Sequence, residues 1–133
     1  MRSLLFVALV ACASDRSTST AAPTLLADHM ASANRAHEPV VVELGASWCK
    51  PCHEFNDHVL PDPRVQDALR GVEFVQYDID TSAGADAMKR CNVAAIPAVV
   101  RIAPDGTPEV LVAGAEPTVD QLVAFLARVK ATR

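Results

Sequence analysis

Apolar residues recur along this chain in two rhythms, a helical one and a strand one, and their order predicts a fold. Thr24 can cap a helix in which Leu25, Leu26, Met30 and Ala33 share one face, with Pro39 ending it. Val40-Val41-Val42-Glu43-Leu44 then reads as a β-branched strand buried on both faces, in which Glu43 is the anomaly. Trp48-Cys49-Lys50-Pro51-Cys52 opens a helix toward Leu60, and Pro51 is tolerated in its first turn because the N–H it lacks would have no partner there. Pro61 and Pro63 break that helix, residues 65–69 restart it, and Gly71 stops it. Residues 72–79 form a second strand, and a short helix is expected over 82–90. Two further strands, over 98–102 and 108–113, flank Pro104-Asp105-Gly106-Thr107, where Asp-Gly is a strong hairpin signal. The last helix opens on Thr118 and Gln121, a capping-box spacing, and buries Val119, Leu122, Val123, Leu126 and Val129. Helix, strand, helix, strand, helix, strand, strand, helix is the order of an α/β domain with a mixed central sheet and helices on both faces.

Composition narrows the function without naming it. The chain has 133 residues, room for one domain, and half of them are hydrophobic, so a packed core is expected. Aromatics make up only 5%, which leaves aliphatic side chains to fill that core. A net charge of -4 argues against a nucleic-acid partner, which would require a basic face.

The N-terminus points to export. Arg2 precedes an apolar run, Leu4 to Val10, that is too short to span a bilayer. Leu9-Val10-Ala11-Cys12 resembles the lipobox of bacterial lipoproteins. That resemblance implies a signal peptide over residues 1–11 and lipidation of Cys12, with a flexible small and polar tether over 12–23 and a folded domain over 24–133. Ala13 after the cysteine favours the outer membrane in the same resemblance, with the domain facing the periplasm. The competing reading is an ordinary signal peptide cut after Ala13.

The candidate chemistry sits where the first strand meets the second helix. A C-x-x-C pair at that junction reads as a redox motif. Cys49 lies where unpaired backbone N–H groups favour negative charge, and Lys50 adds a cation, so both would lower its pKa. Cys52, one turn on, is placed to attack a mixed disulfide at Cys49, and Pro51 stiffens the link between the two. Glu43, six residues before Cys49, would have a raised pKa if buried and could exchange a proton with Cys52; alternatively it is a strand-end acid reaching solvent. Ile96-Pro97 precedes a strand, where proline is tolerated. Cys91 is either a small buried hydrophobe or a regulatory or intermolecular thiol near the substrate groove. His29, His37 and His58 read as solvated surface residues.

Taken together, Trp48-Cys49-Lys50-Pro51-Cys52, the acid at 43, Ile96-Pro97 and the Asp-Gly hairpin resemble a thioredoxin over about residues 24–130. Cys52-His53-Glu54-Phe55 followed by Leu60-Pro61-Asp62-Pro63-Arg64-Val65 is similar to the C-terminal domain of the DsbD reductases. The resemblance implies a thioredoxin fold and thiol–disulfide exchange with exported proteins, tilted toward reduction or isomerisation. It implies that Cys49 is an exposed nucleophile, Cys52 the resolving thiol and Glu43 a buried acid, all catalytic. It implies a cis Pro97, a backbone at Ile96 that pairs with substrate, and substrate contacts from Trp48, Lys50, Pro51, Ile96 and Pro97. The cofactor expected is none beyond the Cys49–Cys52 disulfide, with no metal. Expected partners are protein thiols and disulfides, an upstream redox partner, and a membrane reached through the lipid anchor. This sequence departs from the thioredoxin pattern in having Glu43 for the usual Asp, Gln76 about where a Lys is common, and Lys50 for the commonest Gly.

Rival readings share the same residues. Cys49-Lys50-Pro51-Cys52-His53 satisfies the C-x-x-C-H attachment signature of c-type haem, with His53 as axial ligand and Met88 or another His opposite. The Val-rich strand before the motif and the terminal hairpin are foreign to small helical cytochromes. A copper or zinc carrier would use Cys49, Cys52 and Cys91 or His53, though no regular four-ligand spacing is present. A redox-dead interaction domain is the third alternative, against which the intact pair speaks.

Overall fold

The computed structural model describes residues 25–132. The expected signal peptide over 1–11, lipidation at Cys12, the tether over 12–23 and the Thr24 cap lie outside the described residues. The elements follow in the order α1 (Leu26–Ala36), β1 (Val40–Gly45), α2 (Lys50–Glu54), α3 (Pro63–Ala68), β2 (Glu73–Asp78), α4 (Ser82–Arg90), β3 (Ala98–Ile102), β4 (Pro108–Ala113) and α5 (Val119–Ala131). They build one mixed sheet of order β2-β1-β3-β4. β1 runs parallel to β2 and antiparallel to β3, which pairs antiparallel with β4 across an irregularity between Val99 and Val100.

β1 is central, and all six of its residues are buried. Side chains alternate across a strand, so Val40, Val42 and Leu44 pack with Leu26 and Ala33 of α1 and Ala83 and Ala87 of α4. Val41 points the other way, into a cluster with Phe55, Val65, Val99 and the α5 residues Leu122, Phe125, Leu126 and Val129. Two apolar layers on opposite faces of the sheet are the result. Alternation places Glu43 on the same side as Val41, facing the Cys52 helix rather than α1.

Several boundaries differ from the sequence reading. α1 begins after Leu25, which is 49% exposed rather than part of the buried face and makes no side-chain cap. It ends at Ala36, before Pro39, because His37 adopts a left-handed conformation (φ 57°). The helix expected from Cys49 to Leu60 is regular only to Glu54. It continues as a π-helical turn over Phe55–Val59, closed by the Leu60 N–H donating to the Phe55 carbonyl at 3.0 Å. Asp62 then caps α3, accepting from the Arg64 N–H at 2.8 Å with Pro63 at the first helical position. α5 opens on the expected capping box, in which the Thr118 hydroxyl and Gln121 side chain each accept from the other's backbone N–H.

Candidate active site

Cys49 and Cys52 form a disulfide at the start of α2, with an S–S distance of 2.08 Å and Cα atoms 5.3 Å apart. Cys49 is the N-cap residue, and its sulfur accepts a hydrogen bond from the Cys52 N–H at 3.3 Å. That donor also serves a thiolate at Cys49 after reduction. The expectation of an exposed Cys49 is corrected: it is 5% exposed and Cys52 is 2% exposed in the disulfide form. The cover comes from Ala46, Ile79 and Ile96, which pack around the pair. Exposure belongs instead to the rim, with Trp48 at 66% and Lys50 and Pro51 beside it. Trp48 is fixed there by its indole N–H, which donates to Asp80 Oδ2 at 2.8 Å. The Lys50 ammonium lies 3.6 Å from Glu54 Oε1, one helical turn along, and is mostly in water.

Glu43 is buried, so the reading in which it reaches solvent does not hold. Burial pushes its carboxyl from 4.5 up to about 7, opposed by a hydrogen bond from Gln76. Gln76 Nε2 donates to Glu43 Oε2 at 3.2 Å, while Oε1 has no hydrogen-bond partner among the described residues. Gly45 explains where Oε1 looks. A Cβ on Gly45 would stand 3.0 Å from Oε1 and 3.5 Å from Cys52 Sγ, so the missing side chain leaves a gap between acid and sulfur. A cavity of about 270 Å³, lined in part by Glu43, Gly45, Cys52, His53, Asn56 and Gln76, connects this gap to the surface.

The Ile96–Pro97 peptide bond is cis. Ile96 packs against the Cys49–Cys52 cluster, and the Pro97 carbonyl is tied down by the Gly114 N–H at 2.9 Å. Residues separated by nearly fifty positions in sequence thus meet over one disulfide. Sequence reasoning did not find Asp80, Asn56 or Gly45. Asp80 and Asn56 are ordinary exposed polar residues in the chain, and only the three-dimensional register gives them partners.

Other candidates stay apart from this site. Cys91 is fully buried in the α1/α4 layer, where burial pushes its thiol up to about 11, so it is a core residue and not an accessible thiol. His29 is not simply solvated: its Nδ1 lies 2.6 Å from Glu73 Oε1 and its ring stands edge-on to Tyr77. His37 caps α1, and His58 is exposed, 3.2 Å from Glu54. The haem alternative would set Met88 opposite His53, but Met88 packs with the α1/α4 layer on the other face of the sheet, and His53 Nε2 lies 2.7 Å from the Ser47 carbonyl. Among the described residues no three His, Cys, Asp or Glu side chains gather in a group able to hold a metal ion.

Comparison with known proteins agrees with this geometry. The family model described as thioredoxin-like matches residues 22–104. Over 65 residues, 47% of this chain, the sequence is 37% identical to the thiol:disulfide interchange protein DsbD of Cronobacter sakazakii and 32% identical to that of Escherichia coli K12. The matched segment is 11% of the first relative and 12% of the second, so the chain spans about a tenth of the length of the curated relatives it matches. The DsbD C-terminal domain of Neisseria meningitidis, in its reduced form, superposes with a TM-score of 0.65 at 25% identity, over 78% of this chain and 93% of that one. A thioredoxin from Thermus thermophilus gives a TM-score of 0.65 at 24% identity, over 79% and 83% of the two chains. The chain belongs to the thioredoxin-like family and is similar within it to the C-terminal domain of DsbD.

Proposed function

We propose that this chain is a thiol–disulfide oxidoreductase that reduces disulfides in exported proteins. The observation that carries the proposal is the Cys49–Cys52 disulfide capping α2, with a buried carboxyl oxygen of Glu43 left unpartnered across the Gly45 gap. In the reduced protein the Cys49 thiolate attacks a substrate disulfide, forming a mixed disulfide and releasing one substrate thiolate, which takes up a proton. Cys52 then passes its proton to Glu43 and attacks the Cys49 sulfur. The Cys49–Cys52 disulfide closes, and the second substrate sulfur leaves with the bonding electron pair and is protonated. Two electrons move from the protein to the substrate, and Glu43 takes the Cys52 proton.

Substrate would settle on the rim formed by Trp48, Lys50 and Pro51, with its backbone alongside Ile96 and Pro97. An upstream redox partner restores the dithiol. The DsbD likeness and the N-terminal pattern support an exported location, with a signal peptide over 1–11, a lipidated Cys12 that holds the chain on a membrane facing the periplasm, a tether over 12–23 and the catalytic domain over 24–133. Among the described residues no helix is long and apolar enough to cross a membrane. The test is trapping. Cys52→Ser accumulates a Cys49-linked mixed disulfide with a model protein disulfide, and Cys49→Ser has no turnover; retained turnover in Cys49→Ser sinks the mechanism.

A further inference from the structure

Gln76 makes two hydrogen bonds from a single amide nitrogen. Nε2 donates to Glu43 Oε2 at 3.2 Å and to Asn56 Oδ1 at 2.8 Å. A primary amide carries two N–H groups on one nitrogen, so both are engaged. With Glu43 ionised, turning the amide over would set its carbonyl oxygen against the carboxylate and the Asn56 oxygen at once, two contacts between acceptors. The carboxylate selects the N–H end of Gln76, and Asn56 Oδ1, taking the second N–H, holds the amide in that orientation. Asn56 reaches this place from the π-helical turn over Phe55–Val59, one turn beyond Cys52, while Gln76 comes from β2 and pairs in register with Glu43 of β1.

We infer that Gln76 and Asn56 are positioning residues, a neutral clamp that holds Glu43 by Oε2 and leaves Oε1 facing the Gly45 gap beside Cys52. The inference rests on the exchange reading above for its functional meaning and on geometry alone for its structural content. With Oε2 held by a donor, the unoccupied Oε1 is the oxygen available to receive the Cys52 proton as that thiol attacks the mixed disulfide. The same donor favours the ionised carboxyl, opposing the effect of burial. The clamp carries no charge of its own. The titratable groups that line the same cavity are His53 from α2 and Tyr77 and Asp78 from β2, joined by Cys52 only after reduction, while β3 presents Val99 opposite Glu43.

Both clamp residues are exposed, so replacing them leaves the core intact. The experiment is a titration of the Glu43 side-chain carboxyl carbon by NMR in the oxidised full chain, for the unsubstituted protein, Gln76→Leu, Asn56→Leu and the double variant. Gln76→Leu raises the Glu43 midpoint by about one pH unit, the scale of a lost hydrogen bond to the charged form. Asn56→Leu raises it by less, and the double variant matches Gln76→Leu because Asn56 acts through Gln76. An unchanged midpoint in Gln76→Leu, or effects of the two substitutions that simply add, overturns the clamp. The pH profile of mixed-disulfide resolution by Cys52 moves by the same amount as the NMR midpoint; a profile that stays fixed while the midpoint moves overturns the functional part. Absence of any exchange in the unsubstituted protein overturns the proposed function instead, and the NMR titration still decides the clamp.

Discussion

At the scale of the residue, Glu43 is pulled two ways, by burial that favours its neutral form and by the Gln76 hydrogen bond that favours its charged one. Folding carries its carboxyl from 4.5 to about 7 because burial removes the charged form from water. The folded state therefore holds a proton that the unfolded chain has released across that interval. Glu43's own contribution to stability is full below pH 4.5 and is lost as pH rises through about 7, by about 3 kcal/mol in all. Glu43→Gln keeps an acceptor for Gln76 and has no charge to bury. Urea unfolding of the oxidised protein at pH 5 and pH 8 should show the variant gaining on the parent by about that amount; parallel losses in both would contradict this account of the site. The acid was legible in the sequence as the one charge inside a Val-rich run, but its orientation was not. Two residues at positions 76 and 56 and a missing Cβ at position 45 set the orientation, and none of them belongs to a local motif. The burial of Cys49 was hidden in the same way, since its cover comes from positions 46, 79 and 96.

At the scale of the element, hydrophobic period and turn chemistry carried most of the reading. The Val40–Gly45 strand, the capping box at Thr118 and the Asp-Gly hairpin are all local signals, and each formed where its residues predicted. The π-helical turn after Glu54 was not legible, because it keeps Phe55 and Val59 both in the core while shifting the hydrogen-bond register by one residue. Gly84 is a second case. It looks like a weak point in a short helix, yet a Cβ there would lie 1.9 Å from the Asp78 carbonyl oxygen and 2.9 Å from Ile79 Cα. The glycine lets α4 seat directly against the end of β2. Both contacts are with backbone, so the helix itself must move to make room. Gly84→Ala should cost about 3 kcal/mol in urea unfolding despite alanine's better helix propensity. A stabilised variant would mean that α4 is free to shift.

At the scale of the whole molecule, alternation along one central strand organises everything that matters for the chemistry. Even positions of β1 face the α1/α4 layer, where Cys91 is sealed as core, and odd positions face α2 and α5, where Glu43 meets the cysteine pair. The sheet order then delivers the cis Ile96–Pro97 bond at the start of β3 to the same end as α2. The element order alone was enough to predict this architecture, because parallel β1/β2 with an intervening helix and a terminal hairpin leave few other ways to cover both faces. The central claim is that the Cys49–Cys52 pair cycles between disulfide and dithiol as a reductant. Its most direct test is to equilibrate the protein, with Cys12→Ser to keep that thiol silent, in graded thiol–disulfide buffers while following the fluorescence of the exposed Trp48. The account predicts one two-electron transition near or below about -270 mV that disappears in Cys49→Ser. A midpoint near about -120 mV would contradict the reducing direction, and no transition at all would contradict the redox role itself.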